Sequence, residues 1–334
     1  MGIKQIRSDL ELTLQKFDPT DARFPAGDQL FYWWTQLRAS RLTNIVMLNN
    51  RLIDVVQTLP QYIQYQTRLF RRNANPIGQE RYVVDAENIS EFSLEYTCHL
   101  LILLTEYTYI CWMQKFRSEF KLDHTQYLLV AGQLANAIWD LRINHGFVPK
   151  LDDNLQPIEP IEPFQQCGLA YYALFNWYAL CREIGNPAVG DNIFGAFALL
   201  SSKHLTLLDN AEKCAQCDQH WLAVSIASRA LIGVSENLPW VNAASAMLQR
   251  EEINWSDLTT PLPLAQQCLA RLALSRYAIE QIAERQRNRK SLNKLLSMTT
   301  DGMIINKMSI DVAATCYMIH AMSAYIRQYC GGTA

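Results

Sequence analysis

SLEYTCHLLILLTEYTYI, residues 93–110, decides the fold class. In and around it Glu91, Glu95, His99 and Glu106 recur at intervals of four residues or two turns, while Phe92, Cys98, Leu100, Leu101, Leu103, Leu104 and Ile110 fill the remainder. A period of about 3.6 residues then leaves one narrow polar stripe on a surface that is otherwise apolar. Such a helix, predicted over residues 90–121, is covered on most sides, as the central element of a multi-helix array would be.

Outward from this segment, Asp123 is a natural N-cap for HTQYLLVAGQLANAIWDLRINHG (124–146), and Gly146 is a stop signal, so the two stretches form an antiparallel hairpin. Proline and glycine punctuate the chain only at 17–28, 73–78, 147–163, 185–191 and 259–263. Between these lie further predicted helices at 163–184, 191–218, 219–236, 262–287 and 308–328. Leu264, Cys268, Leu272, Ile279 and Ile282 keep helical spacing through the fourth of them. RYVVDA (81–86) is the main strand candidate, and no glycine-rich phosphate loop follows it. PFQQCGLAYYAL (163–174) is echoed by PLAQQCLARLAL (263–274), which suits a solenoid-like array of similar helices in similar slots. The expectation is an all-α fold: one elongated domain over 1–334 with a tetratricopeptide-like core and a small β element near 81–86.

Composition agrees with a packed helical chain. Of 334 residues, 49% are hydrophobic and 19% charged, with Gly 13 and Pro 12, which excludes long disorder. A net charge of −2 gives no global attraction to nucleic acid. Nine cysteines, an odd number, stand singly and mostly inside helical patterns, the usage of reduced, buried thiols. The charged N-terminal stretch has no apolar run of signal-peptide length, so a cytoplasmic protein is expected. The uncharged stretch 163–181 approaches membrane-spanning length, but Gln165, Gln166, Asn176 and its many aromatics favour a buried or partner-facing helix.

Several constellations bear on chemistry. Cys214, Cys217 and His220 have residue types that suit zinc, with His204 or another cysteine as a fourth ligand. On a continuous helix they fan over roughly 120°, which favours two helix cysteines and a surface histidine. Arg117 and His124 have the spacing of an RNA-cleaving pair, which chance alone supplies in a chain of this composition. Glu95 and His99 share a helix face, yet the further Glu and His motifs of a di-metal bundle are missing from the sequence. Two basic clusters, Arg68 with Arg71 and Arg72, and Arg285 with Arg287, Arg289 and Lys290, are read as complements of helix ends ahead of phosphate or anionic-membrane contacts. Tyr171, Tyr172, Phe175, Trp177 and Tyr178 cannot all face one core stripe. Part of this band lines an exposed groove that accepts an amphipathic helix, or the whole of it is core.

The order of segments resembles the Bro domain of the Alix/Bro family over about residues 20–310, in pattern and spacing rather than in long identities. RYVVDA and SLEYTCHLLILLTEYTYI resemble that family's extended stretch and the helix after it. YLLVAGQLANAIWDLRINHG followed by FVPKLDDNLQP is similar to its next helix and its Pro-rich acidic loop. FQQCGLAYYALFNWYALCRE and FALLSSKHLTLLDNA look like the pair that builds part of the concave surface, and PLAQQCLARLALSRYAIEQIAE with LNKLLSMTTDGMIIN is similar to the closing helix and its exit. The resemblance implies a boomerang-shaped, non-enzymatic scaffold that needs no cofactor. It would bind the C-terminal amphipathic helix of an ESCRT-III subunit, peripherally at endosomal membranes. By position Tyr178, Phe197 and Leu200 fall nearest the family's hydrophobic contacts, with Phe175 and Tyr171 beside them. Little room for opening strands, and no downstream coiled-coil arm or Pro-rich tail, mark a minimal or divergent member. The competing expectations are a metal-dependent or RNA-processing helical enzyme and an unrelated helical-repeat binding protein.

Overall fold

The computed structural model describes residues 3–19, 21–22, 30–43, 57–71, 79–112, 124–143, 146–159, 167–184, 218–230, 234–252, 260–277 and 281–329. These residues are mostly helical with a few small sheets. The sequence reads as one domain over 1–334, whereas the fold divides into two compact units, residues 53–225 and residues 1–52 with 226–334.

The continuous unit is organised around the segment at residues 93–110. A helical stretch at 57–66 runs into β1 (Thr67–Arg71), which pairs antiparallel with β2 (Gln79–Val83). After β3 (Glu91–Ser93) comes α3 (Leu94–Trp112), which packs against α4 (His124–Asp140), α5 (Cys167–Glu183) and β2. Its neighbours cover it on several sides because its sequence is apolar on several sides: Leu100, Ile102, Leu103 and Leu104 are fully buried. The helix starts where Ser93 Oγ accepts the Tyr96 N–H (3.3 Å), and Thr97 Oγ1 accepts the Val83 N–H (3.2 Å), tying β2 to the first turn. Arg81 of β2 donates to Gln133 of α4 at 3.0 Å, and Gln133 donates to Gln79 at 2.9 Å, which fixes the strand pair on α4. The expected β element at 81–86 is therefore present. Two further pairs join it, β4 (Arg142–Ile143) with β5 (Gly146–Phe147), and β6 (Lys150–Asp152) with β3. Strands of two or three residues are too short to show a period of two in sequence.

In the discontinuous unit α10 (Val312–Tyr329) is the central element. It packs against α1 (Ile3–Lys16), α2 (Leu30–Thr43), α8 (Pro261–Ser275) and α9 (Gln281–Leu296). Residues 314–323 of α10 are all buried, including His320. Thr35 Oγ1 donates to the Phe31 carbonyl (2.7 Å), so the His320 Nε2 at 3.0 Å from it must be the donor in that pair. α8 begins as its Thr-Pro punctuation predicts, with Thr260 extended and proline in the first turn. α7 (Val234–Glu252) packs on it. The single helix expected over 262–287 is corrected: α8 ends at Ser275 and α9 starts at Gln281. Ser275 Oγ bonds the Leu272 carbonyl (3.0 Å) within the last turn of α8, and beyond it Tyr277 Oη donates to the Ala227 carbonyl (2.9 Å). A three-stranded meander follows α9: β7 (Thr299–Thr300), β8 (Met303–Asn306) and β9 (Ser309–Ile310). α1 docks on it, with Thr13 Oγ1 donating to the Gly302 carbonyl (2.9 Å) and Lys16 paired with Asp301 (3.1 Å). Gly302 sits at φ +79°, and a Cβ there would lie 3.0 Å from Thr13 Oγ1, so glycine suits both the turn and the close approach.

Candidate functional site

A group of chemistry-bearing side chains lies where α5 meets the start of α6 (Gln219–Ala230). Gly168 permits the crossing: a Cβ on it would stand 2.3 Å from the Leu222 nitrogen and 2.8 Å from the Asp218 carbonyl oxygen, so the two backbones touch. Ser225 Oγ donates to the Gly168 carbonyl at 2.9 Å. Asp218 precedes α6 and its carbonyl accepts the Leu222 N–H (3.0 Å). Its side chain crosses to the other helix, where its two carboxyl oxygens accept the Gly168 and Leu169 N–H groups, each at 2.7 Å. One residue thus closes the first turns of two helices, satisfying N–H groups that have no partner inside a helix.

Burial sets the electrostatics of this cluster. It pushes the Asp218 carboxyl up to about 7, against the two N–H donors, and the nearby Glu95 carboxylate adds to the rise. Glu95 is itself raised, by burial first and by Asp85 second. Cys98 is raised well above the ordinary thiol value by burial, with Asp218 and Glu95 adding to it. Asp85 goes the other way: burial opposes its charge, but the Glu87 N–H and Lys150, whose Nζ is 3.0 Å away, outweigh it and lower the pKa. Burial alone lowers His99 to about 3 and His220 to about 4, and it raises Cys181 to about 12. Burial thus favours uncharged imidazoles at His99 and His220 and protonated thiols at Cys98 and Cys181. The buried thiols expected from composition are found at Cys98, Cys167, Cys181, Cys268 and Cys316.

Tyr171, Phe175 and Tyr178 lie on α5 and are 1%, 8% and 8% exposed, which fits the core alternative of the two readings of this band. Tyr171 meets Phe147 edge to face (5.3 Å between ring centroids), and Tyr172 stacks on Trp221 (5.3 Å). Phe197 and Leu200 lie outside the described residues, as do Cys214, Cys217, Arg117 and Arg72; the side chains of Arg71 and His124 do too. His220 opens α6 beside Trp221, with ring centroids 5.8 Å apart. Among the described residues no group of three or more His, Cys, Asp or Glu side chains is arranged to hold a metal ion. Glu95 and His99 share α3, where His99 is enclosed. Arg68 pairs with Asp153 and donates to the Ile89 carbonyl (2.9 Å). Asp218 is the residue that sequence reasoning passed over. Its signal was present, an aspartate directly before an apolar-periodic run, but its partners lie 49 and 50 residues away.

The fold and site together define a mostly helical protein with small sheets and a polar cluster around Asp218 where α5 meets α6. No helix among the described residues is long and apolar enough to cross a membrane. No family model, curated protein or solved structure matches the chain.

Proposed function

We propose that this chain is a non-enzymatic helical scaffold of the Bro type, an elongated array with a tetratricopeptide-like core. It docks the amphipathic C-terminal helix of an ESCRT-III subunit, in endosomal sorting or membrane remodelling at the cytoplasmic face of endosomes. The co-linear order of segments over about residues 20–310 carries this reading. In its support, β2, α3, α4, α5 and α8 all form within the stretches whose order resembles the family. The packing of α3 on α4 and α5 also offers the rigid backing that a helix-in-groove partner needs.

Because Tyr171, Phe175 and Tyr178 are engaged in packing, Phe197 and Leu200 carry the contact with the incoming helix in this proposal. A pulldown with ESCRT-III C-terminal helix peptides tests it. The wild-type chain is expected to retain the peptide, and Phe197→Asp and Leu200→Asp each to weaken retention roughly tenfold or more, the loss of one apolar anchor. Equal retention by both variants would remove the docking patch, and failure of the wild type to retain any such peptide would remove the partner.

A further inference from the structure

α9 of the discontinuous unit has the sequence QIAERQRNRKSLNKLL, with Arg285, Arg287, Arg289, Lys290 and Lys294 against the single acid Glu284. The whole chain carries −2, so this is a local reversal of sign. The buried stripe Asn288, Leu292 and Leu295 fastens α9 to its own unit, and the helix packs on α8 and α10. Tyr329 of α10 strengthens the seat: Asn288 Nδ2 donates to its hydroxyl (3.4 Å), and the Arg285 guanidinium lies 5.2 Å from its ring centre.

At about 100° per residue four of the cations occupy the arc opposite that stripe, and Arg285 lies at the stripe's edge beside Leu292. Lys290 stands near the apex, Arg289 lies on one flank, and Arg287 and Lys294 on the other. Arg285, Arg287, Arg289 and Lys290 are exposed and Lys294 is half-buried. Glu284 accepts from Arg287 at 2.7 Å, which cancels much of its repulsion for an incoming anion. Arg289 and Lys290 make no ion pair or hydrogen bond among the described residues, so the fold itself gives them no work.

We infer that α9 is a binding surface for the phosphate backbone of double-stranded DNA, entered through the major groove without sequence readout. Two features select this partner. A membrane-surface helix inserts its apolar face among lipid chains, and on α9 Leu292 and Leu295 of that face are already buried in the protein and Leu296 half-buried, with Ile282, 78% exposed, outside it. The cations also spread over both flanks, where a flat lipid surface meets one side of a rod. A groove about 12 Å wide receives a helix about 10–12 Å across and presents phosphates to both flanks together. The major groove of an RNA duplex is too narrow to admit it. Three of the five cations are arginines, whose fork matches phosphate oxygens in pairs.

The experiment is fluorescence anisotropy of the full chain with a labelled 20-base-pair DNA duplex, the equivalent RNA duplex, and phosphatidylserine vesicles, at a series of salt concentrations. Wild type is expected to bind the DNA in the micromolar range at low salt, with log K falling against log salt by about 3 to 4, as four phosphate contacts give. Arg289→Gln combined with Lys290→Gln should weaken DNA binding roughly tenfold and reduce that slope by about 2, with the helical circular dichroism unchanged. Lys4→Gln, an exposed cation on α1, should leave both unchanged. Absence of DNA binding, an unaltered affinity in the double variant, or RNA or vesicle binding as tight as DNA binding would each overturn the inference.

Discussion

A carboxyl that closes two helices while raised to about 7 is half protonated near neutrality. In the unfolded chain an aspartate titrates near 3.9, so between roughly pH 4 and 7 the folded state holds a proton that the unfolded state has released. Stability supplied by Asp218 is therefore greatest at low pH and falls as pH rises through this window, by about 1.4 kcal/mol per unit at most. Asp218→Asn keeps an acceptor for one of the two N–H groups and removes the titration. Urea unfolding followed by tryptophan fluorescence from pH 4 to 8 should show wild type losing stability relative to the variant, with the difference levelling off above pH 7; parallel curves would refute it. Glu95, also raised, contributes a slope of the same sign that the variant retains. An N-cap aspartate is legible in sequence at this scale, but a second helix end within its reach is not, because that depends on the backbone approach at Gly168.

Among elements, the central helix, expected over 90–121, is described over 94–112, and the next, expected to run to 146, ends at 140; hydrophobic period found the helices described at 167–183 and 312–329 within a few residues. It misread the stretch from Pro261 to Leu296 as continuing unbroken to 287, because Ile279 and Ile282 keep the spacing of Leu264 and Leu272. At the break Tyr277 reaches the Ala227 carbonyl 50 residues away, a tertiary contact that no local pattern reports. The short hairpins were equally silent. The β8–β9 turn holds Lys307 at φ 49° and Met308 at φ 78°, two consecutive left-handed residues with neither asparagine nor glycine. Left-handed backbone costs a residue with a side chain about 1–2 kcal/mol. Met308 is 87% exposed, so no packing offsets that cost. Lys307→Asn with Met308→Gly, the favoured residues for a mirror-image two-residue turn, is expected to raise stability by about 1 kcal/mol in chemical denaturation. An unchanged or lower midpoint would show that the native turn is not strained.

For the whole molecule, the helical class was open to the sequence and the division into two units was not. α6 runs through the boundary between residues 225 and 226 without a linker, and the contacts that define the discontinuous unit join residues very far apart in the chain. Thr13 meets Gly302 across 289 positions, and Thr35 meets His320 across 285. Closing such loops is entropically costly and slow, whereas α3 and α4 follow each other directly. Pulse-labelled hydrogen exchange during refolding should find amides of α3, α4 and α5 protected before those of α1 and α10, and simultaneous protection would contradict this order. The same wiring has a meaning for synthesis. At about 5–20 residues per second, Thr13 leaves the ribosome roughly 15–60 s before Gly302 exists. Throughout that interval Ile6, Leu10, Leu14, Phe17 and Trp34 form a nascent apolar surface whose permanent cover has not been translated, which makes the first two helices natural clients for a ribosome-associated chaperone.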